Sequence, residues 1–353
     1  MIKSLVINGL HRSGTTMLER LIDSQPDMIC FGHLFEMLRI IAGMRGLPEK
    51  DFIVRESFTS GMNRITEKSY SLLRYALMNS YMSMIAGIST SPHYLASEHN
   101  NIYGLSKDQL MALMDIISQH DPITDIAALL AAMGEATGVK VMATKWTYNH
   151  NYAPVFLDSP RAYWLELVRS PYATYSSEKK GGWDDLVSNN LNKEDALRFA
   201  ATFRHERFLV VRYEDLTENT DKCLFEISEW LGEKVRNIKL LNRRGGTFHG
   251  NTSENVVRGN NVSFEDKAIQ PYVGAIDNER WYKHLTGADI AYLNLAMNFH
   301  GVYPKEPTSL PSTAQGALRL ARLRAIDKAK CLMKATIRPL GYTITRLPND
   351  VSL

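Results

Sequence analysis

The stretch VINGLHRSGTTMLERLI, residues 6–22, decides the fold of this chain. It has the pattern of a β-strand that ends at Gly9, a polar turn that closes at Gly14, and an α-helix that follows at once. In this arrangement the backbone N–H groups at the helix N-terminus point into the turn, where the helix dipole also favours negative charge. The stretch predicts a phosphate-binding turn, although an ordinary tight strand–helix connection would have the same pattern.

The turn differs in one residue from the phosphate loop of nucleoside triphosphatases. Gly9 and Gly14 have the spacing of G-x-x-x-x-G-K-[ST], but Thr15 stands where the lysine belongs. Arg12, inside the turn, supplies a cation instead. The N–H groups of residues 13–16 add donors, and so do the hydroxyls of Ser13, Thr15 and Thr16. We expect this turn to bind a phosphate group without the lysine and the metal ion that hold a triphosphate.

The composition is that of a globular protein. Of the 353 residues, 44% are hydrophobic and 22% are charged, and the net charge of +3 is too small to indicate nucleic-acid binding. The cysteines are few and far apart, which fits neither a disulfide framework nor a metal site and favours a reducing cytoplasm; they are Cys30, Cys223 and Cys331. The first predicted strand leaves no room for a signal peptide and no run of 18 apolar residues occurs, so we expect a soluble protein.

Strand and helix patterns alternate along most of the chain. A short strand is predicted at MICFG, residues 41–138 are mostly helical, and further strands are predicted in KVMATKW, AYWLELVRS and RFLVVRYEDL. A helix that ends at Gly232 and a final helix in TGADIAYLNLAMNFHG follow. This order predicts an α/β fold of three layers over residues 1–304, with a central parallel sheet flanked by helices and with residues 41–138 as a helical insertion.

Residues 305–353 differ in charge from the rest of the chain. They hold nine lysine and arginine residues against three acidic ones, a net charge of +6, so residues 1–304 carry a net charge of −3. The segment LRLARLRAIDKAKCLMKATI interleaves basic and apolar residues at helical spacing. Two interpretations are open: a solvated helix that packs on the domain, or a basic amphipathic helix that contacts anionic lipid or a partner.

A second phosphate-binding pattern lies in LVRSPYATYSS. Arg169 stands at the carboxyl end of a predicted strand, and Ser177 follows eight residues later, two turns into the next helix. An arginine fork and a hydroxyl in these places can reach the same phosphate group. Alone, the arginine would more often belong to a structural turn; together with the first turn it indicates a cofactor site.

The two stretches GLHRSGTTMLERLIDSQPD and LVRSPYATYSS resemble the 5′-phosphosulfate loop and the 3′-phosphate motif of sulfotransferases that use 3′-phosphoadenosine 5′-phosphosulfate (PAPS). The family loop is roughly P-[KR]-S-G-T-T, so Arg12 takes the place of its cation and His11 that of its proline. The resemblance implies a P-loop-like fold. It also implies a set of donor-binding residues: Arg12, Ser13, Gly14, Thr15, Thr16, Arg169 and Ser177.

Weaker matches extend the resemblance over residues 2–304. VRYEDL is similar to a family strand whose aromatic residue contacts adenine, which maps onto Tyr213, although a plain core tyrosine fits as well. VVRGNNVSF is loosely similar to a late basic loop over the 3′-phosphate, with Arg258 and Gly259 at the matching positions. IDNERWYKHLTGADIAYLNLAM is similar to the C-terminal helical region of the family, and the tail is not covered.

Sulfuryl transfer needs a cation and a base. Charge grows on the departing phosphate oxygen, where a fixed cation lowers the barrier; the candidates are Arg12 and, in a segment that resembles the family's KTP-x-H, Lys145. The transferred group carries a single negative charge, so we expect no metal. The acceptor must lose a proton, and the candidate bases, in order of preference, are His33 in CFGHLFE, Glu36 close behind it, and His150 in ATKWTYNH.

The sequence thus predicts a cytoplasmic, metal-independent sulfotransferase with PAPS as donor and adenosine 3′,5′-bisphosphate (PAP) as product. Its acceptor would be a hydroxyl or amine of a small molecule, lipid or glycan, bound by residues 41–138 and the loop at 178–195. The basic tail would contact a membrane if the acceptor is a lipid or a surface glycan precursor. Two alternatives stay open: a non-catalytic nucleotide-binding module, and a kinase-like phosphotransferase, which the missing lysine disfavours.

Overall fold

The computed structural model describes residues 2–31, 112, 116, 126–147, 149–180, 187–237, 273 and 278–337. Most of the predicted helical insertion lies outside the described residues, and so does the end of the tail. Four predicted site residues also lie outside them: His33, Glu36, Arg258 and Gly259.

Within the described residues, five parallel strands form one sheet. The strands are β1 (Lys3–Gly9), β2 (Met28–Phe31), β3 (Val141–Lys145), β4 (Ala162–Val168) and β5 (Phe208–Arg212). Their order is β2-β3-β1-β4-β5, and every neighbouring pair is parallel, so the predicted parallel sheet is confirmed. Strands β2 and β3 lie on one side of β1, and β4 and β5 lie on the other. In open α/β sheets, ligands bind at such a change of direction in the strand order, at the carboxyl ends of the strands.

Helices flank the sheet, as the three-layer prediction expects. Gly232 ends one of them with a left-handed φ of 65°, as predicted from its glycine. Short 3-10 turns occur at His150–Tyr152 and Arg280–His284. The helices are α1 (Thr15–Asp23), α2 (Ile126–Thr137), α3 (Ala153–Leu157), α4 (Pro171–Lys180), α5 (Val187–Thr202), α6 (Tyr213–Glu218), α7 (Thr220–Leu231), α8 (Gly287–Ala296) and α9 (Leu310–Ile337).

Alternation along β1 divides its side chains between two cores. Leu5 and Ile7 pack with α1 and α7 on one face of the sheet. Val6 packs with α2, α3 and Trp164 of β4 on the other face. Because both faces are covered, the strands consist mainly of apolar residues. Asn8 lies on the same face as Val6 and is a buried polar residue directly before the turn.

A third core joins α4 and α8 to the first half of α9. Leu320 and Leu323 of α9 are buried in it, together with Tyr303 from the preceding loop. Of the tail, residues 310–337 are helical, and Leu320 and Leu323 share a core with the domain that the sequence predicts to end at residue 304. Within the described ranges, no helix is long and apolar enough to cross a membrane.

Candidate active site

The turn between β1 and α1 is held mainly by its own backbone. Ser13 donates from its N–H and from its hydroxyl to the carbonyl oxygen of Leu10, at 3.1 and 2.6 Å. Arg12 and Gly14 both have left-handed backbones, with φ of 65° and 98°. Helix α1 begins at Thr15, so its first N–H groups have no intrahelical acceptor and face the turn. This is the geometry of an anion-binding helix N-terminus.

Two close approaches explain the glycines of the turn. A Cβ atom on Gly9 would lie 2.7 Å from the carbonyl oxygen of Leu167 in β4. A Cβ atom on Gly14 would lie 2.3 Å from Cδ2 of Tyr213. The turn thus fits closely against β4 on one side and against the Tyr213 ring on the other, and neither position has room for a side chain.

Arg169 connects the two predicted motifs. Its Nη1 donates to the carbonyl oxygen of Arg12 at 2.8 Å, and its guanidinium carbon lies 4.1 Å from the centroid of the Tyr213 ring. Burial lowers the pKa of the guanidinium below its usual value. The buried Nε has no hydrogen-bond acceptor within the part of the chain that the structure describes. Two arginines that lie 157 positions apart in sequence therefore meet at one site.

Glu214 fixes the turn that carries Arg169. Its Oε1 accepts the backbone N–H of Ser170 at 3.0 Å, and its Oε2 accepts the hydroxyl of Tyr303 at 2.7 Å. Burial and the nearby carboxylate raise the pKa of Tyr303 well above its usual value, which keeps that hydroxyl protonated as a donor. One carboxylate thus links the carboxyl ends of β4 and β5 to the loop before α9.

Lys145, at the end of β3, faces helix α1. Its Nζ lies 2.7 Å from Oε2 of Glu19 and 3.4 Å from the hydroxyl of Thr16, to which it donates. The side chains of Lys145 and Glu19 are only 5% and 2% exposed. The ion pair therefore holds the ammonium group against the first turn of α1, next to the predicted phosphate-binding turn.

A buried polar network lies next to the turn between β1 and α1. It is on the face of the sheet that α2 and α3 cover, opposite to the face that α1 covers. The amide Nδ2 of Asn8 donates to both carboxylate oxygens of Glu166, at 3.0 and 2.8 Å, and Nε1 of Trp164 donates to Oε2 at 3.0 Å. The backbone N–H of Asn149 donates to Oδ1 of Asn8 at 3.3 Å. Burial raises the pKa of Glu166 to about 7, although the hydrogen bonds from Trp164 and Asn8 act in the other direction. The network joins β1 to β4 and to the segment after β3.

The structure places the remaining predicted residues in different surroundings. Ser177 lies on α4, two turns beyond Arg169, and is partly exposed. Tyr213 is not part of β5 but is the buried first residue of α6. His150 is 4% exposed, with its ring 5.5 Å from that of Phe199 on α5. His150 thus faces α5, whereas Lys145 faces α1, so the two are not brought together on one face of the sheet.

Comparison with known proteins shows the family. Residues 4–237, about two thirds of the chain, match the model of the sulfotransferase family. This chain belongs to the sulfotransferase family. The resemblance inferred from the two phosphate motifs is confirmed, and the family is one of enzymes that use PAPS. No curated protein has a significant sequence match to this sulfotransferase.

Three solved structures of sulfotransferases are similar to this chain. The domain from the olefin synthase of Synechococcus PCC 7002 is 16% identical, with 90% of this chain and 94% of that one covered and a TM-score of 0.40. The domain from the curacin biosynthetic pathway is 16% identical, with 91% and 98% covered and a TM-score of 0.40. STF9 from Mycobacterium avium is 15% identical, with 67% and 65% covered and a TM-score of 0.34. At these low identities the family assignment rests on the sequence match.

Sequence reasoning missed four residues around the site of this sulfotransferase. Asn8 and Glu166 had a usable signal, since each is a polar residue inside an otherwise apolar strand. Glu19 lies one helical turn after Thr15, on the face that packs against the sheet, but its lysine partner is 126 positions away and no pattern links them. Glu214 directly follows the predicted adenine residue, in the first turn of a helix, where carboxylates are common.

Proposed function

We propose that this sulfotransferase takes its sulfuryl group from PAPS and transfers it to a hydroxyl or amine of a small-molecule, lipid or glycan acceptor. The observation that carries this proposal is the meeting of Arg12 and Arg169 at the N-terminus of α1, with Thr15 in place of a kinase lysine. The site thus contains two arginines, one from each motif, which suits a ligand that has two separate phosphate-type groups, because each guanidinium fork can bind one of them.

The residues present fit such a donor. The N–H groups of the turn and the side chain of Arg12 are proposed to bind the 5′-phosphosulfate, and the buried Nε of Arg169 with the hydroxyl of Ser177 the 3′-phosphate. Tyr213 is proposed to contact the adenine while its ring holds the positions of Gly14 and Arg169. Outside the described residues, Arg258 and Gly259 are proposed to close over the 3′-phosphate.

The chemistry that the donor supplies is in-line displacement at sulfur, with PAP as the leaving group. The protein's task is to stabilise the negative charge that grows on the 5′-phosphate oxygen. Arg12 and the N–H groups of the turn do so directly, and Lys145 adds a second cation that Glu19 fixes beside Thr16. Loss of one such preorganised group typically lowers kcat by about 10²–10³-fold.

The acceptor proton is proposed to go to His33 or Glu36, with His150 as the third candidate. Two observations support placing His150 last. His150 is buried against Phe199, and it faces α5, whereas the cation Lys145 faces α1. A general base has to reach the attacking atom, which lies on the far side of sulfur from the leaving oxygen.

The acceptor is proposed to bind beside the predicted insertion at 41–138. The sequence predicts that the loop at 178–195 contributes to the same site, and the two ends of that segment have a structural role. Glu178 on α4 and Lys193 on α5 form an ion pair in which both side chains are buried. These two residues join the helices, and the predicted loop is helical at 178–180 and from residue 187 onward, so its bounds were too wide. Residues 181–186 are the part proposed to contact an acceptor.

Calorimetric titration tests the donor proposal. PAP and adenosine 5′-monophosphate are titrated, without metal, into wild type, Arg169→Ala and the control Arg161→Ala, which removes an arginine from the opposite end of β4. We expect wild type and Arg161→Ala to bind PAP tightly and the monophosphate weakly. Arg169→Ala should bind PAP as weakly as it binds the monophosphate. Equal binding of both nucleotides by wild type would refute the donor proposal, and a requirement for Mg²⁺ would favour a kinase-like phosphotransferase.

A further inference from the structure

Helix α9 is attached to the domain along one side of its first half. Leu320 and Leu323 are buried, and Gly316 packs so closely on α8 that a Cβ atom there would lie 2.6 Å from the backbone nitrogen of Tyr292. Nη1 of Arg319 donates to Oδ1 of Asp289 at 2.6 Å. The spacing of 316, 320 and 323 places these contacts on one helical face, and together they fix the direction of the whole helix.

The opposite face of α9 is apolar and exposed. Leu318, Ala325, Ala329 and Leu332 follow one another at intervals of seven, four and three residues, so they form a single stripe on the side away from the domain. Leu318 is 72% exposed and Leu332 is 61% exposed. We call this stripe the outer face of α9. Single exposed apolar side chains are common on protein surfaces, but a stripe of them along one helical face marks an interaction site.

Cations surround the outer face. Arg322, Arg324 and Lys328 are exposed, and the sequence of α9 contains six basic residues and one acidic residue, Asp327, a net charge of +5. The part of the chain before residue 305 carries a net charge of −3. The positive charge is thus concentrated on the helix that also presents the exposed leucines.

We propose that the outer face of α9 binds the surface of an anionic phospholipid membrane. The leucines would enter the boundary between headgroups and acyl chains, while the long basic side chains reach the lipid phosphates beside them. A second copy of the chain is a poorer occupant, because pairing two such helices brings like charges together with a single acidic residue on each to offset them. A nucleic acid would meet the cations but leave the leucines exposed.

This arrangement would hold the sulfotransferase at the membrane. The inner face of α9 is tied to α8 by Arg319 and Asp289, and Asp289 also accepts from Lys179 of α4 at 2.8 Å. Helix α4 begins two residues after Arg169, so the membrane-binding helix and the proposed donor site are parts of one packed unit. The proposal does not depend on the identity of the donor.

Vesicle co-sedimentation of the full chain tests the proposal. Vesicles of phosphatidylcholine alone are compared with vesicles that also contain phosphatidylserine, at low and at high salt. Wild type should sediment only with the anionic vesicles, and less at high salt. Leu318→Ser/Leu332→Ser should weaken this binding by about tenfold or more, because both leucines lose the favourable transfer into the membrane. Arg324→Gln/Lys328→Gln should weaken it by about tenfold or more at low salt, at about fivefold for each cation.

Matched controls distinguish binding through the outer face of α9 from nonspecific binding of exposed apolar or basic side chains to vesicles. Phe225→Ser removes an apolar side chain that is 64% exposed on α7, and Lys222→Gln removes a cation that is 78% exposed on the same helix. Neither should change vesicle binding, and all variants should keep the thermal unfolding temperature and PAP affinity of wild type. The proposal is overturned if wild type binds neither vesicle, if both vesicles bind equally, or if the controls lose as much as the α9 variants. A dimer that the leucine variant dissociates, without vesicle binding by wild type, would assign the face to self-association instead.

Discussion

The two phosphate motifs of this sulfotransferase are built in different ways. The first, the turn from Gly9 to Thr16, is closed by hydrogen bonds that span three residues, from Ser13 to Leu10. The second is held from a distance: Arg169 is bonded to a residue 157 positions away, and Ser170 to a glutamate 44 positions away. A turn that is closed by its own residues can be recognised from a short stretch of sequence. For a motif that is held by distant residues, the sequence reveals the motif but not the partners that hold it. The two designs should also respond differently to substitution.

The largest effect is expected at Gly14, where the turn packs against Tyr213, whose ring also contacts Arg169 of the second motif. Gly14→Ala would place a methyl group 2.3 Å from the Tyr213 ring at a φ of +98°, so backbone strain and overpacking add to about 4 kcal/mol of lost stability. PAP binding should fall below detection in calorimetry, since the turn or the ring has to move. The control is Gly138→Ala, which has a similar positive φ of +74° and no atom near the added methyl. If Gly14→Ala lost no more stability than this control, the close contact would not matter.

Lys145→Met should have the next largest effect. It leaves the buried Glu19 without its cation and should lower the free energy of unfolding by about 3 kcal/mol. The double variant Glu19→Gln/Lys145→Met should recover much of this loss, because no buried charge remains unpaired. Urea unfolding measures both variants. A double variant as unstable as the single one would mean that packing, not charge, explains the effect, and that Glu19 does not position the lysine.

Glu166 lies in β4 opposite Asn8 of β1, and these two strands lead into the two motifs. It should make the free energy of unfolding depend on pH. Burial raises its folded-state pKa to about 7, above the usual glutamate value of about 4.5. Between these values the folded state binds more protons than the unfolded state, so the stability of wild type should fall as pH rises from about 4.5 to about 7, by up to about 3 kcal/mol. The difference in unfolding free energy between Glu166→Gln and wild type should change in favour of the variant over that window. A difference that stays constant with pH would show that Glu166 is ionised throughout.

The smallest effect is expected at Glu214, and it should be confined to the second motif. Glu214→Gln weakens two charge-assisted hydrogen bonds, to Ser170 and Tyr303, and should reduce PAP affinity by about tenfold. The affinity for adenosine 5′-monophosphate should stay within about twofold, because that ligand lacks the 3′-phosphate that Arg169 is proposed to bind. Glu218→Gln, one turn further along α6 and bonded to Asn278, is the control. An equal loss for both nucleotides would mean that Glu214 supports the fold rather than the position of Arg169.

The strands could be predicted from the sequence, and the two candidate phosphate motifs recognised in it, because each depends on residues that are close together in the chain. The parallel sheet follows from apolar runs such as AYWLELV, and the end of α7 from Gly232. The interpretation of VRYEDL as one strand was wrong at Tyr213, which begins α6. Strand and helix propensities differ little at such a boundary, and the contact of the ring with Gly14 and Arg169 decides the conformation there.

The tail shows the same limit. Its helix and its positive charge were predictable, since both follow from composition and spacing over about 20 residues. Which side of the helix packs on the domain was not, because that choice depends on Gly316, Leu320 and Leu323 meeting α8. Only after this side is known does the stripe from Leu318 to Leu332 become an exposed surface.

The sequence by itself determined that this protein is a parallel α/β sulfotransferase, and it predicted a phosphate turn at Arg12 and a second phosphate motif at Arg169. Strand periodicity and turn patterns depend on residues that are close together in the chain, so they can be recognised from the order of the residues. Only the tertiary structure decided that Arg169 bonds to the turn, that Glu19 pairs with Lys145 and Glu214 with Ser170, and which face of α9 is exposed. Each of these contacts joins residues from different elements, and their side chains meet only when the sheet and its helices have packed.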